Sequence, residues 1–183
     1  RDLGRWSPWG RLERMRRECD ELIGTLIHRA RSAPDLDART DVLAMLVAAR
    51  DDSGQPIPDD YIIDELQTLL AAGHETTATT LAWAVERLRR HPDVLSRLVE
   101  EVDAGGSELL QATVWEVQRS RPVIPGVLRV TKGRTRLGEW VLPAGHTVIA
   151  SIALSHSSAA NYTDPSRFDP TRFVETKPDT SSW

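Results

Sequence analysis

AAGHETTATT, Ala71–Thr80, sits in the middle of a stretch whose apolar residues otherwise keep helical spacing. Inside a helix, glycine costs about 1 kcal/mol relative to alanine and threonine roughly half that, so Gly73 and the four threonines together cost about 3 kcal/mol. A helix that only had to pack is better served by alanine or leucine. Yet Leu66, Leu70, Gly73, Thr77, Leu81, Ala84 and Leu88 carry the period through the odd centre. The spacing therefore predicts one uninterrupted helix over about 61–90, opened by Asp59 or Asp60 and closed by the HPDV that follows; at its centre either tertiary packing overrides propensity or a site needs what these residues offer.

On the N-terminal side, Leu12, Met15, Cys19, Leu22, Ile23, Leu26 and Ile27 recur at threes and fours after the turn-like WSPWG, which predicts an amphipathic helix with Cys19 as a core thiol on its apolar stripe. A short helix, Asp41 to Arg50, follows the SAPDLDART linker, and the breaker-rich DDSGQPIPDD separates it from the long helix. On the C-terminal side, helices are expected over Asp93 to Val102 and about 109–119. From Val127 the pattern changes to short β-branched runs, VLRVT, GEWVL and HTVIAS, which predict a small antiparallel sheet over about 127–152. SSAANYTDPSRFDPTRF reads as extended and loop-like. The fold class expected is mainly α with a small antiparallel β-sheet.

With 183 residues, 40% hydrophobic and 27% charged, and a net charge of -4 with acids and bases interspersed, the composition is that of an ordinary globular protein and points away from nucleic acid. A single cysteine rules out an internal disulfide framework and suits a reducing compartment, so the cytoplasm is expected. No apolar run approaches the roughly 18 residues that span a bilayer.

Three constellations are candidates for chemistry, each to be set against a solvated or structural role. Glu75 and Thr76 are adjacent on the long helix, where a carboxylate is costly unless paired or solvated. A zinc-peptidase reading fails because the position four residues after His74 is Ala78, not a second histidine. Glu116 and Arg119 lie three apart, on one helical face. In DPSRFDPTRF, either Arg167 or Arg172 is placed to fork onto the Glu116 carboxylate and complete a buried network. Asn161-Tyr162-Thr163 matches a glycosylation acceptor by chance, and no nucleophile elbow, dinucleotide fingerprint or phosphate loop is present.

In their fixed order, AGHETT in a long helix, E-x-x-R running into RSRPVIP, a small sheet with LPAG, then PSRF and FDPTRF, these motifs resemble the cytochrome P450 family, specifically the C-terminal half of a soluble bacterial-type member. The resemblance implies a haem-thiolate monooxygenase that inserts one atom of dioxygen into an apolar small molecule with electrons from a ferredoxin- or flavoprotein-type donor. It implies an oxygen-activation motif at Ala72, Gly73, Glu75 and Thr76, with Gly73 letting the helix approach the haem, Thr76 widening the helix and holding dioxygen and water, and Glu75 relaying protons. It implies further a structural triad of Glu116, Arg119 and Arg167, a haem propionate on Arg129, and Val123 and Ile124 lining the haem and substrate side. Finally, it implies that the chain ends about a dozen residues short of the Phe-x-x-Gly-x-x-x-Cys loop whose thiolate holds the iron, a role Cys19 cannot fill, so that no metal ligand is expected and the chain alone is expected to be inactive. A degenerate gene product, or a non-catalytic helical interaction module that keeps part of this fold, is the alternative.

Overall fold

The computed structural model describes residues 7–178 and divides the chain into two compact units, residues 1–74 and 75–183. In the first unit, helix α1 (Pro8–Arg31) begins inside the WSPWG turn: Ser7 is the cap, its hydroxyl accepting from the Gly10 N–H at 2.9 Å, and Pro8 occupies the first helical position, where a missing N–H costs nothing. A one-turn 3₁₀ helix (Leu36–Ala38) and helix α2 (Val42–Ala48) follow, the latter capped by Asp41, whose carboxylate accepts from the Ala44 N–H at 3.0 Å. The long helix α3 runs over Asp59–Arg90 without a break, and its start completes the core of this unit, where Ile27, Ala30, Val47 and Ile62 are buried with Ile23, Leu43 and Leu66 packed around them.

The expected apolar stripe of α1 is only partly used. Ile27 is buried and Ile23 packs on the core, whereas Leu12, Met15, Leu22 and Leu26 are exposed and Cys19 is half-buried rather than a core thiol. Likewise Leu70 and Leu81 of α3 face outward. Periodicity names the face a helix offers; whether anything lies on it depends on the rest of the fold.

In the second unit, Pro92 starts helix α4 (Pro92–Asp103), and helix α5 (Glu108–Ser120) follows the AGGS turn. The side chain of Ser107 makes no cap bond to α5. Its first free N–H groups are met instead by Glu101 of α4, which accepts from Leu109 and Leu110 at 2.8 and 2.9 Å. Gly106 allows this, because a Cβ there sits 2.6 Å from the Cγ of Glu101. The core of the unit joins Val94, Val117 and Phe168, with Trp83, Ala84 and Leu88 of α3 against it.

The single small sheet expected over 127–152 is two separate antiparallel ribbons. Strand β1 (Val127–Val130) pairs with β4 (Thr147–Ala150), and between them β2 (Thr135–Leu137) pairs with β3 (Trp140–Leu142) through a turn in which Gly138 takes φ +59°. The short helix α6 (Ile152–His156) follows β4, and the segment expected to be extended, 157–173, ends in one helical piece, a 3₁₀ turn (Pro170–Phe173). Most of the KPDTSSW terminus lies outside the described residues.

Candidate functional site

The E-x-x-R pair stands on the inner face of α5, where Glu116 is 0% and Arg119 2% exposed. The guanidinium forks onto the carboxylate: Nε donates to Oε2 at 2.7 Å and Nη2 to Oε1 at 2.8 Å. The remaining Nη1 donates to the carbonyls of His156 and Pro165 at 2.8 and 3.0 Å, and Nη2 also reaches the Arg167 carbonyl at 3.3 Å. Glu116 Oε1 in turn accepts from the Asp169 N–H at 2.8 Å. A buried charge pair is tolerable only when its other donors and acceptors are also met, which is the arrangement here.

The expected third member is corrected. Arg167 turns outward, its side chain 69% exposed with Asp169 3.9 Å away, and only its backbone carbonyl enters the network. Arg172 takes the place instead: its Nε lies 3.2 Å from Glu116 Oε2, without the alignment of a hydrogen bond, so the attraction there is Coulombic. Its terminal nitrogens donate to the carbonyls of Thr163 and Arg167, both at 3.1 Å. The physical reason is the turn. Asp169 caps the Pro170–Phe173 turn, its carboxylate held below the usual range chiefly by the Thr171 hydroxyl, and the turn carries Arg172 inward together with buried Phe173. Trp115 and Tyr162 stand edge-on to Phe173, and the Arg119 guanidinium lies 5.2 Å from the Tyr162 ring centre.

The AGHETT motif is built differently. Helix α3 stays α-helical throughout the motif, so the widening expected at Thr76 is absent. A back-bond nevertheless touches this residue from the other direction: Thr80 Oγ1 donates to the Thr76 carbonyl at 2.8 Å. Ala72, Gly73 and Glu75 are exposed and Thr76 is half-buried. A Cβ added at Gly73 meets no atom within 4 Å, so among the described residues no steric contact requires glycine there. Thr76, Thr77, Thr80, Leu81 and Ala84 form one wall of a groove of about 350 Å³, and Val114, Val117 and Gln118 of α5 form the other. Three hydroxyls facing two valines and the Gln118 amide can orient a small polar species beside an apolar one. Glu75, Val123 and Arg129 are not among the lining residues. Arg129, on β1, is exposed and among the described residues donates to the Leu128 carbonyl, at 2.8 Å; Val123 is half-buried and Ile124 exposed.

The donor chemistry suits the face and rim of a haem better than its iron. Hydroxyls line the groove and Arg129 offers an exposed guanidinium with no ion pair among the described residues, but no cluster of three metal-ligating side chains occurs among them, and the one cysteine lies on α1.

The cytochrome P450 family model matches residues 6–182. The putative cytochrome P450 138 of Mycobacterium tuberculosis is 52% identical over 184 residues, covering all of this chain and 42% of that protein. The putative cytochrome P450 135B1 of Mycobacterium bovis is 45% identical over 181 residues, 96% of this chain and 38% of the relative. Among solved structures, retinoic acid-bound cyanobacterial CYP120A1 superposes with a TM-score of 0.81 at 26% identity, over 98% of this chain and 44% of that one. CYP109E1 from Bacillus megaterium in complex with corticosterone gives 0.74 at 25% identity, over 92% and 42%. The chain thus spans about two fifths of the length of the relatives it matches.

Proposed function

Because this chain belongs to the cytochrome P450 family and has a partial form of its fold, we propose that it is the oxygen-handling and core-locking portion of a haem-thiolate monooxygenase acting on an apolar small molecule. The observation that carries this reading is the closed Glu116–Arg119–Arg172 network standing in one unit with the threonine-lined groove, in the chain order the family uses. Bound haem supplies the capacity to activate dioxygen with electrons from a ferredoxin- or flavoprotein-type donor. Within that scheme Ala72 and Gly73 present a thin helix face to the macrocycle, Thr76 orients dioxygen and water by hydrogen bonding, and Glu75, open to solvent, passes protons towards that face. Arg129 pairs with a propionate, Val123 lines the substrate side, and the network on α5 keeps these elements in register. Cys19, half-buried on α1, is not the source of the iron's thiolate in this reading. An apolar substrate agrees with the retinoic acid and corticosterone that two structural neighbours hold. No helix among the described residues is long and apolar enough to cross a membrane, which agrees with a cytoplasmic enzyme.

The test is spectroscopic. The chain refolded with haemin and reduced under carbon monoxide is expected to give no thiolate-type Soret band, whereas the product of a reading frame that continues past Trp183 into Phe-x-x-Gly-x-x-x-Cys is expected to give one. In that longer protein, Thr76→Ala is expected to raise the peroxide released per oxygen consumed while leaving the band in place. A stop or frameshift in place of the cysteine loop, or a Thr76→Ala enzyme as tightly coupled as its parent, counts against the proposal.

A further inference from the structure

A second cavity in the unit formed by residues 75–183, of about 490 Å³, opens between Trp83 and Arg87 of α3, Ser120 at the end of α5 with Arg121, Pro122 and Pro125 after it, and Phe168. It shares no lining residue with the threonine groove, so its ligand chemistry is independent of the oxygen-handling role. Three arginines face it, and two are already committed. Arg87 is held by the neighbouring Glu86 carboxylate at 2.5 and 3.0 Å, and Arg119 is fully used by Glu116 and three carbonyls.

Arg121 is different. Its guanidinium carbon lies 5.2 Å from the Trp83 ring centre, Nη1 donates to the Ser120 carbonyl at 3.1 Å, and it forms no ion pair with any carboxylate among the described residues. The aromatic face fixes the plane of the cation and offsets part of its desolvation. Of the five N–H groups a guanidinium carries, most remain unspent, including the Nε/Nη2 edge, whose parallel donors match the two oxygens of a carboxylate. Beside it, the Ser120 hydroxyl reaches the Val117 carbonyl at 3.4 Å, long for an O–H···O bond and therefore inexpensive to exchange for a better acceptor. Trp83, Phe168, Pro122 and Pro125 give the same cavity flat apolar walls, while His156, Ser157 and Ser166 are polar members of its lining.

We propose that this cavity is a binding site for a small organic carboxylate with a flat apolar body, its carboxylate forked by Arg121 and its body seated against the aromatic and proline walls. One uncompensated cation balances one negative charge, which favours a monoanion. A phosphate dianion leaves its second charge unmatched in a half-buried site and is the poorer ligand.

Benzoate, its neutral isostere benzamide, and inorganic phosphate are titrated into the chain by calorimetry at low salt. Benzoate is expected to bind about tenfold more tightly than either of the others, the difference a forked charge-assisted pair makes. Arg121→Gln is expected to erase the preference for benzoate over benzamide without changing the far-ultraviolet circular dichroism. Equal affinity for benzoate and benzamide in the unaltered chain, no binding of either, phosphate as tight as benzoate, or a preference that survives Arg121→Gln overturns the proposal. If Arg121→Gln does not fold, the comparison of probes on the unaltered chain decides it alone.

Discussion

Between α5 and the Pro170–Phe173 turn, Glu116 and Arg119 are buried almost completely, Arg172 largely, and all three find their partners inside the chain, down to the carbonyls of Thr163, Pro165 and Arg167. Along the middle of α3, in the same unit, Glu75 faces solvent and hydroxyls line an open groove. The first region is closed and answers to stability; the second is open and answers to whatever is brought to it. Their sensitivities to mutation should differ accordingly.

The strongest test attacks the closed region. Glu116→Gln removes the charge that two guanidinia share, and is expected to cost about 3–5 kcal/mol in urea unfolding. Arg172→Met should come close to that, because its side chain is buried against Glu116, while Arg167→Met should fall within about 0.5 kcal/mol, because its side chain is solvated. Equal costs for the two arginines would return Arg167 to the network. Next in size is Gly106→Ala, which pushes Glu101 off the α5 N-terminus and is expected to cost about 1–2 kcal/mol in thermal unfolding, the worth of a helix cap.

In the open region the sign reverses. Gly73→Ala should stabilise the chain by about 1 kcal/mol, since the added methyl meets open space and the helix gains propensity; a measured loss means that glycine packs against something after all. The gentlest probe is pH. Burial pushes His156 below the usual imidazole range, so the unfolded chain takes up the proton first. Stability is then full above about pH 6.5 and declines as pH falls through the folded value, a slope that His156→Gln should flatten.

The long helix, the E-x-x-R pair and the change to β-pattern at Val127 were legible because each rests on local spacing that tertiary contacts did not override. The remaining features depend on information that spacing does not carry. PSRF and PTRF are near-duplicates as strings, and only the Asp169 cap and the 3₁₀ turn decide which arginine points inward. Pairing between strands is a long-range matter, so one small sheet and two ribbons read alike. Thr80, for which spacing suggests no role, is accounted for by its bond to the Thr76 carbonyl. Arg121 carries no local signal because its neighbour in space, Trp83, lies 38 positions away in the chain.

Glu101 sits on α4, yet the helix it caps is α5. By gripping the first N–H groups of α5 from outside, it fixes the rotational phase at which that helix starts, and every later residue inherits that phase at about 100° per step. Glu116 begins its aim toward Arg172 at this point, two turns earlier. Adding or deleting one residue in the AGGS turn would leave both helices intact as helices and swing the buried charge toward the wrong wall. Sequence variation in that turn is therefore constrained in length before it is constrained in composition.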